Sequence, residues 1–207
     1  MYKEYWEKFY KSKMSLSKPS LFAKFVLKNY IKENNLLIEL GCGNGRDSFY
    51  FAHYGINIIA IDQCESEIRI LNKKNNMLNL KFIYEDFSKF DIIKSVNHIY
   101  SRFSFHSISE KAEDKVIKWA YKKLQKNGNL LVEARGTKNE LFKLGDPVPG
   151  EINAYIYDGH YRRFIDIEKF CEKLKSIGFI IRLAKEQFGF APLSNTNYKF
   201  IRVIASK

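Results

Sequence analysis

Gly41, Gly43 and Gly45 stand at alternate positions directly after the apolar run Leu36–Leu40, whose single acid is Glu39. A buried strand breaking into a tight glycine turn is the physical reading, because glycine permits positive φ and lets a ligand lie close to the backbone. The residues from Arg46 onward read as a helix, and a helix start aims unpaired N–H groups at whatever the turn holds. Cys42, inside the turn, reads as a small packing residue. A second apolar run, Asn57 to Asp62, ends in an acid placed to accept both hydrogen bonds of a ribose diol, with Gln63 beside the adenine edge. The rival for Asp62 is a helix cap, since Cys64-Glu-Ser-Glu-Ile68 begins a helical pattern. A dinucleotide fingerprint would place its third glycine where Arg46 stands, which disfavours a nicotinamide oxidoreductase.

The spacing Glu39-x-Gly41-x-Gly43-x-Gly45 resembles motif I of the class I S-adenosylmethionine-dependent methyltransferases. The resemblance implies S-adenosylmethionine as cofactor and S-adenosylhomocysteine as product. Glu39, Gly41, Cys42, Gly43 and Gly45 then pass beneath the methionine part, and Asp62 and Gln63 take the ribose and adenine edge. A third strand, Leu80 to Tyr84, leads to Glu85-Asp86-Phe87. In the family an acid and an apolar residue here border the adenine, so Asp86 accepts from its amino group and Phe87 covers the ring. An ordinary turn or cap is the rival for Asp86. Ser101 falls at the end of strand four, on the same rim of the sheet.

The family's acceptor site follows strand four, where this chain reads Tyr100-Ser101-Arg102-Phe103-Ser104-Phe105-His106. It lacks the Asn/Asp-Pro-Pro-Tyr/Phe of amide methyltransferases, which argues against adenine or glutamine amide methylation. Ser-Arg-x-x-x-His resembles small-molecule methyltransferases, including those acting on phosphorylated amino alcohols. Those enzymes usually carry an acid immediately after the Arg, where this chain has Phe103. His106 is the general-base candidate, its ordinary pKa lying near neutrality; a core or capping histidine is the rival. Arg102, Arg135, Arg162 and Arg163, with Tyr155, Tyr157 and His160, form a candidate oxyanion pocket, since a guanidinium binds phosphate or carboxylate with a paired fork. In strand alternation Arg162 and Arg163 point opposite ways, so at most one of the two faces the site. Tyr5, with Trp6 and Tyr10, is placed to fold over the site as a lid, or to pack on the outside.

These residues need a frame. With 207 residues the chain suits one domain. Strands and helices alternate to Tyr84, a fourth strand runs from Val96 to about Ser101, and Ser109 caps a helix ended by Asn127-Gly128. Asn129 to Ala134 is a fifth strand; Asp166 caps a helix that stops at Gly178; Phe179–Glu186 and Tyr198–Ala205 close the chain. Pro19 is placed in the first turn of an apolar helix, after an aromatic opening with Tyr2, Tyr5, Trp6 and Phe9 on one helical face. The expectation is an α/β, Rossmann-like, seven-stranded, mostly parallel sheet with helices on both faces and an antiparallel edge hairpin. Residues 1–33 would be an N-terminal helical segment or lid, and 136–164 a substrate-side loop insertion.

Composition narrows the partners. Lys plus Arg number 35 against 23 acids, a net charge of +12, but the lysines are scattered rather than massed. A small anionic metabolite is therefore favoured over nucleic acid. No apolar run spans a bilayer and the opening residues lack a signal peptide's apolar core, so no membrane partner is expected. Three cysteines, Cys42, Cys64 and Cys171, lack metal spacing and cannot all pair, consistent with a reducing cytoplasm. The expected reaction is methyl transfer to an amine or hydroxyl of a small, phosphorylated metabolite of the amino-alcohol phosphate type. An RNA or other macromolecule methyltransferase, and a non-catalytic cofactor-binding module, are the alternatives.

Overall fold

The computed structural model describes residues 5–7, 18–91, 95–192 and 196–207. Helix α1 (Leu21–Asn29) precedes a βαβαβ run: β1 (Leu36–Leu40), α2 (Arg46–His53), β2 (Asn57–Asp62), α3 (Glu65–Lys74) and β3 (Leu80–Tyr84). Then come β4 (Val96–Arg102), α4 (Glu110–Lys123) and β5 (Leu124–Ala134). Short strands β6 (Asp146–Pro147), β7 (Ala154–Tyr157) and β8 (His160–Arg163) precede α5 (Ile167–Ile177), β9 (Ile180–Gln187) and β10 (Phe200–Ser206). The main sheet has seven strands in the order β3-β2-β1-β4-β5-β10-β9, parallel except where β10 runs against both neighbours. The expected class and its antiparallel edge pair are both present.

The order reverses beside β1, which pairs β2 on one side and β4 on the other, with Leu40 opposite Ile61 and Ser101. A crevice opens at such a switch point, at the carboxyl ends of the strands. The glycine turn leaves β1 there. β1, β2, β4, β10 and the second half of β5 are buried almost throughout because both faces of the sheet are covered. One cluster gathers Ile38, Ile99, Val116, Leu130 and Phe170; the opposite face gathers Phe22, Leu37, Phe51, Ile58 and Tyr100.

The helix ends follow their caps. Ser20 Oγ accepts from Ala23 N at 2.9 Å, Ser109 Oγ from Ala112 N at 3.3 Å, and Asp166 from Glu168 N and Lys169 N at 3.1 and 3.2 Å. Pro19 lies just before the Ser20 cap rather than in the first turn. Helix α4 stops at Lys123, short of the expected Asn127-Gly128. Leu124 instead pairs Val96 at the start of β5, and Asn127 takes a left-handed φ of 65° in the irregular stretch that follows. The segment expected as a loop insertion contains the three-stranded antiparallel sheet β6-β7-β8, joined to the main body by a bridge between Gly136 and Ile165. Tyr2, Phe9 and Tyr10 lie outside the described residues. Among those described, no helix is long and apolar enough to cross a membrane.

His98 inside β4 gives a pH signature. Its Nε2 meets Asn35 Oδ1 at 2.9 Å and its Nδ1 meets Asn129 Nδ2 at 3.3 Å, a set that a neutral ring satisfies. Burial pushes its pKa down to about 4. Below the unfolded value of 6.5, the unfolded chain takes up a proton that the native ring refuses. Stability should therefore fall by on the order of 3 kcal/mol between pH 6.5 and 4 on this account. Urea unfolding across that range should show a shallower decline in His98→Gln; an unchanged decline would assign the loss to other groups.

Candidate active site

Gly41, Gly43 and Gly45 all take positive φ, at 76°, 53° and 72°. Gly41 is also forced to be small: a Cβ there would lie 2.2 Å from Ser104 Oγ. Ser104 in turn donates to Leu40 O at 2.6 Å, clamping the segment after β4 onto the end of β1. Asp62 braces the turn from below. Its carboxylate accepts Gly43 N–H at 2.8 Å and Cys64 N–H at 2.9 Å, so it ties the glycine turn to the residue before α3, and the helix cap weighed for it falls to Cys64 instead. Burial raises its pKa, and those backbone donors oppose the rise. Gln63 is half-buried beside it.

Glu39 does not reach the surface of the turn. It is 3% exposed and accepts from Ser48 Oγ at 2.5 Å, tying β1 to α2, and burial and the neighbouring Asp47 push its pKa well above the usual carboxylate range. Cys42 is buried, and burial followed by Asp62 pushes its thiol well up, which suits packing and not nucleophilic attack. Ser101 Oγ is buried and has no hydrogen-bond partner among the described residues. Asp86 accepts from Ser88 N at 3.0 Å and Ser88 Oγ at 2.7 Å, the turn role weighed for it, and pairs with Lys89 at 3.7 Å. Phe87 reaches the turn, 3.9 Å from the position of a Cβ on Gly41.

Two residues here were not singled out from sequence. Asp47, in the first turn of α2, accepts Ser20 N and Ser20 Oγ at 2.7 Å each and Tyr100 OH at 2.8 Å. Arg46, just before it, sits close enough to Arg102 for the second guanidinium to help burial in lowering its pKa. Their sequence mark was the acid–base pair Arg46-Asp47 opening the helix after the glycines. Arg102 is anchored by Glu133 at 2.9 Å, and Glu133 also takes Arg202 at 2.7 Å.

The four expected arginines do not form one pocket. Arg102 belongs with Arg46 on the side of the glycine turn. Arg135 lies 5.1 Å over the Phe200 ring, and it and Arg162 are close enough to act on one another and on His106 and His160. Phe103 lies under the Arg102 guanidinium at 4.0 Å, stacks on Phe200 at 4.8 Å and tilts against His106 at 5.6 Å. It holds a positive φ of 62°, a strained conformation for an aromatic residue. Arg163 is turned away, as strand alternation requires for one of the pair: it ion-pairs with the buried Glu113 and donates to Ile108 O and Phe105 O, so the substrate contact expected of it is corrected to a structural one. Tyr157 is exposed at the hairpin end and offers only its carbonyl, to Arg162 at 2.9 Å, while Tyr155 packs against Phe142 and Phe164.

His106 is 3% exposed. Its Nδ1 accepts the Arg135 N–H at 3.2 Å, which leaves the ring proton on Nε2. Burial, then Arg135, His160, Arg162 and Arg163, push its pKa well below the ordinary value. A neutral ring of this tautomer is a hydrogen-bond donor; accepting a proton would require the nitrogen that the Arg135 amide occupies.

The N-terminal segment closes one side. Tyr5 stacks on His160 at 4.2 Å and 19°, and Trp6 meets the same ring edge-on at 5.0 Å. Glu7 accepts from Ser66 Oγ, at the start of α3. Residues 5–7 thus bridge the β7–β8 hairpin and the helix after Asp62, spanning the mouth of the crevice.

Residues 37–128 match the family model described as a methyltransferase domain. Among characterised sequences, a probable S-adenosyl-L-methionine-dependent methyltransferase, TehB of Haemophilus influenzae, is 29% identical over 104 residues, covering 49% of this chain and 36% of that relative. The matched stretch thus spans about a third of that relative's length. A methyltransferase structure from Methanosarcina mazei superposes with a TM-score of 0.75 over 88% of this chain and 96% of its own, at 18% identity. The 1,6-didemethyltoxoflavin N1-methyltransferase of Burkholderia thailandensis, solved with its acceptor and S-adenosylhomocysteine, superposes with a TM-score of 0.68 over 89% of this chain and 76% of its own, also at 18% identity. At such identities the likeness establishes the fold.

Proposed function

We propose that the chain, whose residues 37–128 match a methyltransferase-domain model, is a class I S-adenosylmethionine-dependent methyltransferase that transfers a methyl group to an amine or hydroxyl of a small anionic metabolite. A phosphorylated amino alcohol is the most concrete acceptor. The observation that carries the acceptor class is a pair of partly buried cations with no carboxylate in ion-pair contact. Arg135 and Arg162 form no ion pair among the described residues, and both have their pKa lowered, by burial first. For Arg135 the value falls to about 10. Buried cations are ordinarily paired, so a site that holds two unpaired guanidiniums suits an anion.

The residues on the near side of Phe103 fit the cofactor. The orphaned Ser101 hydroxyl, the N-terminus of α2 without a side-chain cap and the Arg46–Arg102 pair supply donors where a methionine-like carboxylate would lie. Asp62, Gln63, Asp86 and Phe87 supply the polar and apolar groups for a nucleoside. When bound, S-adenosylmethionine offers an electrophilic methyl on sulfonium sulfur, and the acceptor's lone pair displaces S-adenosylhomocysteine. The chain's task is alignment, a contribution that reaches about 7–11 kcal/mol in favourable cases. Phe103 separates the two polar regions, so an acceptor held by Arg135 and Arg162 reaches past the ring edge. His106 donates its Nε2–H to the acceptor. The cations also disfavour an ammonium form, keeping an amine acceptor unprotonated without a dedicated base. Residues 5–7 cover the pocket, with Tyr5 as its aromatic wall.

Release of S-adenosylhomocysteine, measured against phosphorylated amines and alcohols, their dephosphorylated forms and bulk RNA, should appear with a phosphorylated small molecule alone. Equal turnover of a dephosphorylated form would remove the anion requirement, and turnover confined to RNA would make the net positive charge the governing feature.

A further inference from the structure

His160 begins β8 and is 7% exposed, yet its Nε2 is buried with no hydrogen-bond partner among the described residues. Arg162 Nε, two residues on along the same strand face, is likewise buried and unpartnered. Native proteins rarely leave such buried polar atoms unmet, so each calls for an explanation. The groups facing His160 come from four elements: Arg162 on its own strand, Arg135 just after β5, His106 after β4, and Tyr5 and Trp6 from the N-terminal segment. Asp158, exposed at the hairpin tip, acts on Arg162 and Tyr5, and Glu140 acts on Arg135. Tyr5, stacked flat on the imidazole, fixes its plane.

We infer that the pocket captures the acceptor's anionic group together with a proton, His160 becoming an imidazolium whose Nε2–H joins Arg135 and Arg162 in binding that group. The inference rests on the anionic-acceptor reading above and adds a coupling that the reading does not require. With cations facing it, burial first and then Arg162 and Arg135 push the imidazole down to about 3, so near neutral pH the ring carries no charge. An anion between the two guanidiniums reverses the local field and favours the charged ring. Anion binding and protonation then strengthen one another by the same factor. The orphaned Nε2 is the donor position held for that state.

The probe is inorganic sulfate, which stays a dianion from about pH 4 to 8, the window used, and so contributes no proton of its own. It is titrated calorimetrically into the full chain with S-adenosylhomocysteine present, at constant ionic strength and in two buffers of different ionisation heat. Below the raised pKa of the sulfate-bound ring the Kd should rise with pH, approaching about tenfold per unit, with proton uptake that grows toward one per site as the pH falls. His160→Asn should bind more weakly with a Kd that is flat in pH. Histidine NMR titration of the wild type with and without sulfate reads the same proton without the variant, as an upward move of the His160 pKa. Sulfate binding with no pH dependence, or a dependence that persists in His160→Asn, overturns the coupling and leaves the anionic acceptor standing. No sulfate binding at all overturns both.

Discussion

Asp62→Ala should weaken S-adenosylhomocysteine binding on the order of a hundredfold or more, measured by calorimetric titration. The size of the effect comes from two roles in one carboxylate. Its oxygens accept Gly43 N–H at 2.8 Å and Cys64 N–H at 2.9 Å, so alanine leaves two buried donors unmet in the turn that must cradle the cofactor. A donor left unmet costs about 1–3 kcal/mol. The remaining lone pairs of the same carboxylate are the ones we propose for a ribose diol. Asp62→Asn keeps the volume but can accept on one atom only, setting its amide nitrogen against one of the two N–H groups, and should fall between wild type and alanine. A drop in Tm with affinity intact would leave Asp62 as a brace for the turn and nothing more; no change in either would remove both roles.

Glu133→Ala should destabilise the chain by about 3–5 kcal/mol in urea unfolding, because it strands two buried guanidiniums at once. Glu133 has no solvent exposure and holds Arg102 at 2.9 Å from β4 and Arg202 at 2.7 Å from β10. Arg202 has other contacts, donating to Phe190 O at 2.9 Å and lying 4.1 Å over the Phe190 ring, but none is anionic. Arg102, set free, would face Arg46 with less to neutralise it, so the cofactor side should loosen as well. Glu133→Gln retains acceptor and shape and should lose less. A loss below about 1 kcal/mol in the alanine variant would mean that water reaches the guanidiniums and that the triad is not a buried charge cluster.

The sequence carried the sheet because its central strands are short apolar runs ended by glycines or acids, patterns that local physics sets. Leu36–Leu40, Asn57–Asp62 and Leu80–Tyr84 fall at the residues expected. The end of α4 was misplaced because pairing of Leu124 with Val96 is a long-range contact that overrides the local Asn127-Gly128 stop. The β6-β7-β8 sheet was missed for a related reason: its strands are two to four residues long, too short for alternation to register. In the site, residue types were legible and partners were not. Alternation foretold that only one of Arg162 and Arg163 would face the pocket, but not that Glu113 would claim Arg163. The count of arginines suggested one oxyanion pocket, whereas the ring of Phe103 divides them into two. Nothing local marks Phe103 for a positive φ, since glycine or asparagine is the usual occupant.

The small sheet carries Arg162 and His160, while the turn, Asp62 and Asp86 all lie before residue 90. It leaves and rejoins the main body where Ile165 N donates to Arg135 O at 3.0 Å and Thr137 N donates to Ile165 O at 3.2 Å. An excursion whose two ends meet at one point can be lengthened, shortened or exchanged without moving the strands beneath it. Descent within such a lineage can therefore change what is methylated by rewriting a segment of about thirty residues, leaving the donor half intact. The same junction marks where a recombined chain would be cut to transplant one enzyme's choice of acceptor onto another's body.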